Sequence, residues 1–75
     1  MEKMKYLIVI EETKTGFSAY SPDVDGCIAT GSTKQEVENN MQEAMEFHLE
    51  GMLMEKQEIP HSHAYSNYLE IEARA

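Results

Sequence analysis

The chain holds one thiol, Cys27, and three imidazoles, His48, His61 and His63. A nucleophilic thiol needs a nearby base and donors that stabilise the thiolate. His48 falls in a segment with helical spacing and could approach Cys27 if that helix packs on a sheet. The surroundings are acidic, however, and nearby negative charge raises a thiol pKa. Cys27 follows Gly26 at the start of a β-like run, so packing as a small hydrophobe accounts for it better. His48 lies between Met45 and Met52, at the border of an apolar stripe, and reads as half-buried. His61 and His63 sit two apart in a polar connection, without the C-x-x-C or H-x-x-x-H spacing of zinc sites. No catalytic residue, metal or cofactor is expected.

The carboxylates and glycines offer little more chemistry. In "SPDVDG", residues 21–26, Asp23 and Asp25 imitate part of a calcium loop, but Ser32 stands where the closing glutamate belongs. "GCIATGS" lacks the lysine and the spacing of a phosphate-binding loop. The pairs Glu11–Glu12 and Glu70–Glu72 fit solvated strand ends. A two-metal nuclease would place an acid inside its first strand, and only apolar residues lie between Lys5 and Glu11.

The elements that must position these residues follow from periodicity. "KYLIVIEE", residues 5–12, is an apolar, β-branched run with Tyr6, Ile8 and Ile10 on one face and Leu7 and Val9 on the other. A "TKTG" turn leads to a second strand over 16–21, and the loop 21–26 leads to a third over 27–31. Pro22 and Gly26 set the backbone of that loop. Gly31 ends the third strand. Thr33 followed by Glu36 matches a capping box, with Ser32 and Gln35 offering the same pattern one residue earlier. Val37, Met41, Ala44, Met45, Leu49, Met52 and Leu53 then form one helical stripe that runs to about residue 55. Gly51 weakens that helix. "NYLEIEA", residues 67–73, alternates again and predicts a fourth strand. The expected fold is α+β, in the order β-β-β-α-β, with one long helix on one face of an antiparallel-rich sheet.

Seventy-five residues form one domain, 1–75, whose own core is marginal. One helix covers one sheet face, while the first strand is apolar on both. A second copy, in a dimer or tetramer, or another protein is expected on the other face, with Tyr6, Ile8 and Tyr20 as its contact residues. The net charge of −8, without a basic cluster, argues against direct binding of nucleic acid or an anionic membrane. The amino-terminal apolar run is too short for a secretory or membrane segment, and the single cysteine fits a reducing compartment, so a soluble cytoplasmic protein is expected.

The order of motifs goes further. "YSPDVDGCIATGSTKQEV", then "NMQEAMEFHLEGM", then "IP" resembles the HicB-like antitoxin family over about residues 4–60. The resemblance maps a turn motif onto Pro22, Asp23, Val24, Gly26 and Cys27. It maps a strand-to-helix cap onto Gly31, Thr33 and Glu36, and a helix signature onto Ala44, His48, Leu49, Glu50 and Gly51. Asp25 stands where a second proline is usual, and Val37 where alanine is common. The resemblance implies a fold like a partial RNase H core without its catalytic acids. It also implies a basic, mRNA-cleaving HicA-type toxin as partner. Asp23, Asp25, Glu46 and Glu50 are the expected contacts with that toxin. Longer members carry a DNA-binding unit after this region, and this chain is expected to do without one. An oligomeric module with a ligand-binding or structural role, and a residual hydrolase, are the alternatives.

Overall fold

The structure is a computed structural model that describes residues 3–74. Three strands form one antiparallel sheet in the order β1-β2-β3: β1 Val9–Glu12, β2 Phe17–Ser21 and β3 Val24–Gly31. The helix α1, Lys34–Met54, comes next in the chain and packs chiefly on β3 and β2. The arrangement is α+β, as the periodicity predicts.

Pairing explains where the strands stop. Val9 opposes Tyr20 in the β1–β2 ladder, and β2 ends one residue later at Ser21. Lys5–Ile8 therefore have almost nothing opposite them, and the first strand is shorter than the expected 5–12. The third strand is longer than expected, because only Pro22 and Asp23 turn the chain. Ser21 pairs with Val24 while Tyr20 pairs with Ile28, so residues 25–27 bulge out of the β2–β3 ladder. Gly26 supplies the φ of +78° that this bulge requires. Such a value strains any residue with a Cβ.

The helix begins as the sequence dictates. Thr33 is extended, with φ -132° and ψ 166°. Its Oγ1 accepts a hydrogen bond from the Glu36 amide at 3.1 Å, the usual way a threonine caps a helix start. The Glu36 carboxylate reaches one residue further back than a capping box predicts. It accepts from the Ser32 amide at 2.9 Å and the Ser32 hydroxyl at 3.2 Å. Gly31 lets this corner close, since a Cβ there would stand 2.5 Å from the Val37 amide nitrogen.

Val37, Met41 and Met45 bury the stripe of α1 against Ala19, Val24 and Cys27. Tyr6, Ile8, Ile10, Phe17, Ala29 and Ala44 border this core. Past Met45 the stripe weakens: His48, Leu49 and Met52 are half-buried and Leu53 is exposed.

The helix ends in a Schellman motif. The Lys56 amide donates to the Leu53 carbonyl at 3.0 Å and the Gln57 amide to the Met52 carbonyl at 2.8 Å. Lys56 holds the left-handed position with φ 59°.

The expected fourth strand over 67–73 does not form. Residues 57–74 carry neither helix nor strand, and 65–74 are all exposed. Upstream, the Tyr6 hydroxyl donates to the Pro60 carbonyl at 2.6 Å. The Asp23 carboxylate accepts from the amides of His63 at 3.1 Å and Ala64 at 3.0 Å. These bonds tie the tail to the β2–β3 turn, at one end of the sheet. Beyond these bonds residues 65–74 pair with neither edge strand, so the alternating pattern meets no ladder partner within the described chain.

Candidate interaction surface

The sheet has one face under α1 and one without a covering element. The uncovered face carries a row across all three strands, Val9 opposite Tyr20 and Tyr20 opposite Ile28. Tyr20 is 41% exposed and Ile28 71%. Of the residues expected on this face, Tyr20 is there. Tyr6 and Ile8 are not: they pack against the core on the helix side. A strand apolar on both faces does not reveal which set meets the helix, and the parity assigned to Tyr6 and Ile8 is reversed. Leu7 and Val9, both half-buried, take their place.

The four carboxylates named as partner contacts divide. Glu46 and Glu50 are exposed one turn apart on α1, and Asp25 is exposed in the β3 bulge. Gln42 Nε2 donates to Glu46 Oε2 at 2.9 Å, which leaves the other carboxylate oxygen of Glu46 open to a partner. Asp23 differs, because its Oδ2 holds the two tail amides. Burial of the Tyr6 phenol raises its pKa above the ordinary 10.0, and the Asp23 charge adds to that rise. Glu38 and Glu43 are exposed too, and Lys34 and Lys56 are the sole lysines or arginines from 34 to 56. Much of the outer surface of α1 is therefore acidic.

Phe47 escapes the periodicity argument. It is 81% exposed, beside Glu46 on the helix exterior. With Ala44, Asn40 and Glu43 it forms one wall of a shallow groove along β3, and Ile28, Ala29 and Thr30 form the other. Asn40 Nδ2 donates to the Thr30 carbonyl across this groove at 2.8 Å. The sequence signal for Phe47 is an aromatic residue falling off the helical stripe among glutamates.

The thiol is placed for packing. Cys27 is 5% exposed. Burial pushes its pKa above the ordinary 9.0, which disfavours the thiolate. Among the described residues no hydrogen bond joins it to His48 or any other side chain. His61 and His63 stack edge-to-face with centroids 6.0 Å apart, and His61 Nε2 lies 3.9 Å from Glu58 Oε1 in an exposed segment. Among the described residues no three His, Cys, Asp or Glu side chains converge to hold a metal, and no helix is long and apolar enough to cross a membrane.

Comparison with known proteins places this geometry. The model of the family described as "HicB_like antitoxin of bacterial toxin-antitoxin system" matches residues 6–73. A 14.9 kDa protein from the rep-hol intergenic region of Haemophilus phage HP1 is 41% identical over 66 residues, 88% of this chain. A UPF0150 protein of Synechocystis sp. is 34% identical over 56 residues, 73% of this chain and 71% of its own length. Among solved structures, a chain of the "HicA3 and HicB3 toxin-antitoxin complex" superimposes with a TM-score of 0.64 at 38% identity, covering 73% of this chain. This chain spans 50% of the phage relative and 64% of the solved chain.

Proposed function

The chain belongs to the HicB-like antitoxin family, and from that premise we propose that it binds and neutralises a small basic HicA-type RNA-cleaving toxin. The observation that carries this reading is the family match over residues 6–73, joined by the likeness to a chain from a toxin–antitoxin complex. The acidic exterior of α1 supports it. A toxin that grips RNA must present positive charge to phosphates. Glu46, Glu50 and Asp25 offer such a surface carboxylates in their place, so the bound antitoxin occludes the RNA site. The action is stoichiometric binding rather than catalysis, and the buried, thiolate-disfavoured Cys27 accords with that. Opposite charge would also speed encounter by about one to two orders of magnitude at low salt.

The test is co-expression with the small basic protein of a neighbouring reading frame. Growth arrested by that protein should be restored by the intact chain. A Glu46→Lys/Glu50→Lys variant should restore it at least tenfold less well by colony count. Unchanged arrest in the presence of soluble, folded chain contradicts the reading.

A further inference from the structure

The tail poses a physical problem that the fold leaves open. Asn67–Ala73 alternates like a strand, and its apolar residues are bare: Tyr68 is 99% exposed, Leu69 75% and Ile71 77%. Among the described residues no hydrogen bond ties 65–74 to the sheet or the helix. The Tyr68 amide bonds only its neighbour, Asn67 Oδ1, at 2.8 Å. Yet the segment is not a loose extension. The bonds of Pro60, His63 and Ala64 fix the point from which it departs, and the family match includes it, running through residue 73.

The same chain carries an open strand edge. β3 is the longest strand and borders the sheet, so one side of its backbone has no ladder partner among the described residues. The Thr30 carbonyl on that side bonds a side chain, Asn40, instead of another strand. Ile28, two residues away, directs its own amide and carbonyl to the same side. Phe47, 81% exposed, stands over the groove beside this edge, and Ile28, 71% exposed, lies on the open face of the same strand. Past the bulge at 25–27 the regular part of this edge is residues 28–31, about 13 Å long, so it pairs with part of the roughly 23 Å that seven extended residues span.

We propose that residues 67–73 become a strand by adding to the β3 edge of a second copy, with Leu69 and Ile71 seated against Ala44 and Phe47. Alternation fits both sides of the added strand. Leu69 and Ile71 turn together toward the helix wall of the groove, and Tyr68 turns toward Ile28 on the open face. The tether at Asp23 holds the base of the arm, and the exposed residues 65–74 beyond it are left for the edge of another copy. Reciprocal exchange about a two-fold axis satisfies both arms and both edges in a closed dimer. This inference needs no toxin and stands apart from the toxin reading.

Light scattering on the intact chain over a concentration series tests it. A dimer is expected. Leu69→Asp/Ile71→Asp in the arm and, separately, Phe47→Asp in the groove should each raise the dimer dissociation constant at least tenfold while far-UV circular dichroism keeps its helix signal. Mixing the two variants should give a mixed dimer held by one intact arm–edge contact, tighter than either variant alone and weaker than the unaltered dimer. Amide exchange on the unaltered chain provides a reading that no variant can confuse. Residues 68–72 should be protected at high concentration and exchange freely on dilution. A chain that stays monomeric, a dimer indifferent to the arm variant, or a mixture that stays monomeric overturns the proposal. So does an arm variant that only loses capture of the basic toxin, because the arm's partner is then another protein.

Discussion

Cys27 shows how position decides the chemistry of a residue. Its type permits nucleophilic attack, but burial raises its thiol pKa above 9.0 and places it with Val37 and Met41 in the core cluster. A group whose folded pKa is raised contributes stability that is full below its unfolded pKa and is lost as pH rises through the folded one. The fold is therefore expected to be indifferent to this thiol at neutral pH and to weaken only above its ordinary pKa of 9.0. At neutral pH an alkylating reagent should label the native chain at least about a hundredfold more slowly than the urea-unfolded chain. Labelling at equal rates would mean that the thiol is accessible and open to chemistry. The packing role is the one expected for Cys27 after Gly26 at the start of a β-like run, although burial and not the neighbouring acids raises its pKa. The roles of Tyr6 and Ile8 are not legible in the sequence. Leu7 and Val9 are as apolar as they are, so side-chain type alone does not tell which set faces α1. Asp23 has a second role that its loop does not reveal: its Oδ2 accepts from the amides of His63 and Ala64, far along the chain.

At the scale of elements, α1 is the most legible and β1 the least. A helix declares itself locally, through the Thr33 cap and the stripe Val37–Met41–Met45, because its hydrogen bonds close within four residues. A strand needs a partner that its own sequence does not name. Lys5–Ile8 is as β-like as Val9–Glu12 but runs past the end of β2. The segment 67–73 has the alternation and no ladder at all. The far end of α1 also holds two departures from helical preference that can be corrected. Gly51 lies inside the helix with open space around a would-be Cβ, and Lys56 occupies a left-handed position. Gly51→Ala should stabilise the chain by about 0.5–1 kcal/mol. Lys56→Gly should add about 1 kcal/mol by removing the left-handed penalty. Urea denaturation of the single and double variants checks both. A loss of stability in either would mean that the helix end is shaped by contacts other than those described.

The whole molecule is lopsided in shape and in charge. Its radius of gyration is 14.9 Å and its longest extent is 54 Å. A compact chain of this length would have a radius of gyration of about 11 Å. A 21-residue helix on a small three-stranded sheet and an exposed tail over 65–74 both lengthen the chain. The helix α1 holds five glutamates against one lysine, half of the net charge of −8. Both features accord with the two proposals, a second copy for the strand-like arm and a basic toxin for the acidic helix. The family can be read from the order of motifs. The unsatisfied arm cannot, because alternation reports only that a segment is able to pair. The most direct measurement is a titration of this chain into a fixed amount of the proposed partner, a small basic HicA-type RNase encoded beside it, with RNA cleavage as the readout. Cleavage should fall linearly to background at a fixed molar ratio, and inhibition should weaken as salt is raised. Full cleavage at a tenfold excess of folded chain would contradict the role assigned to its acidic surface.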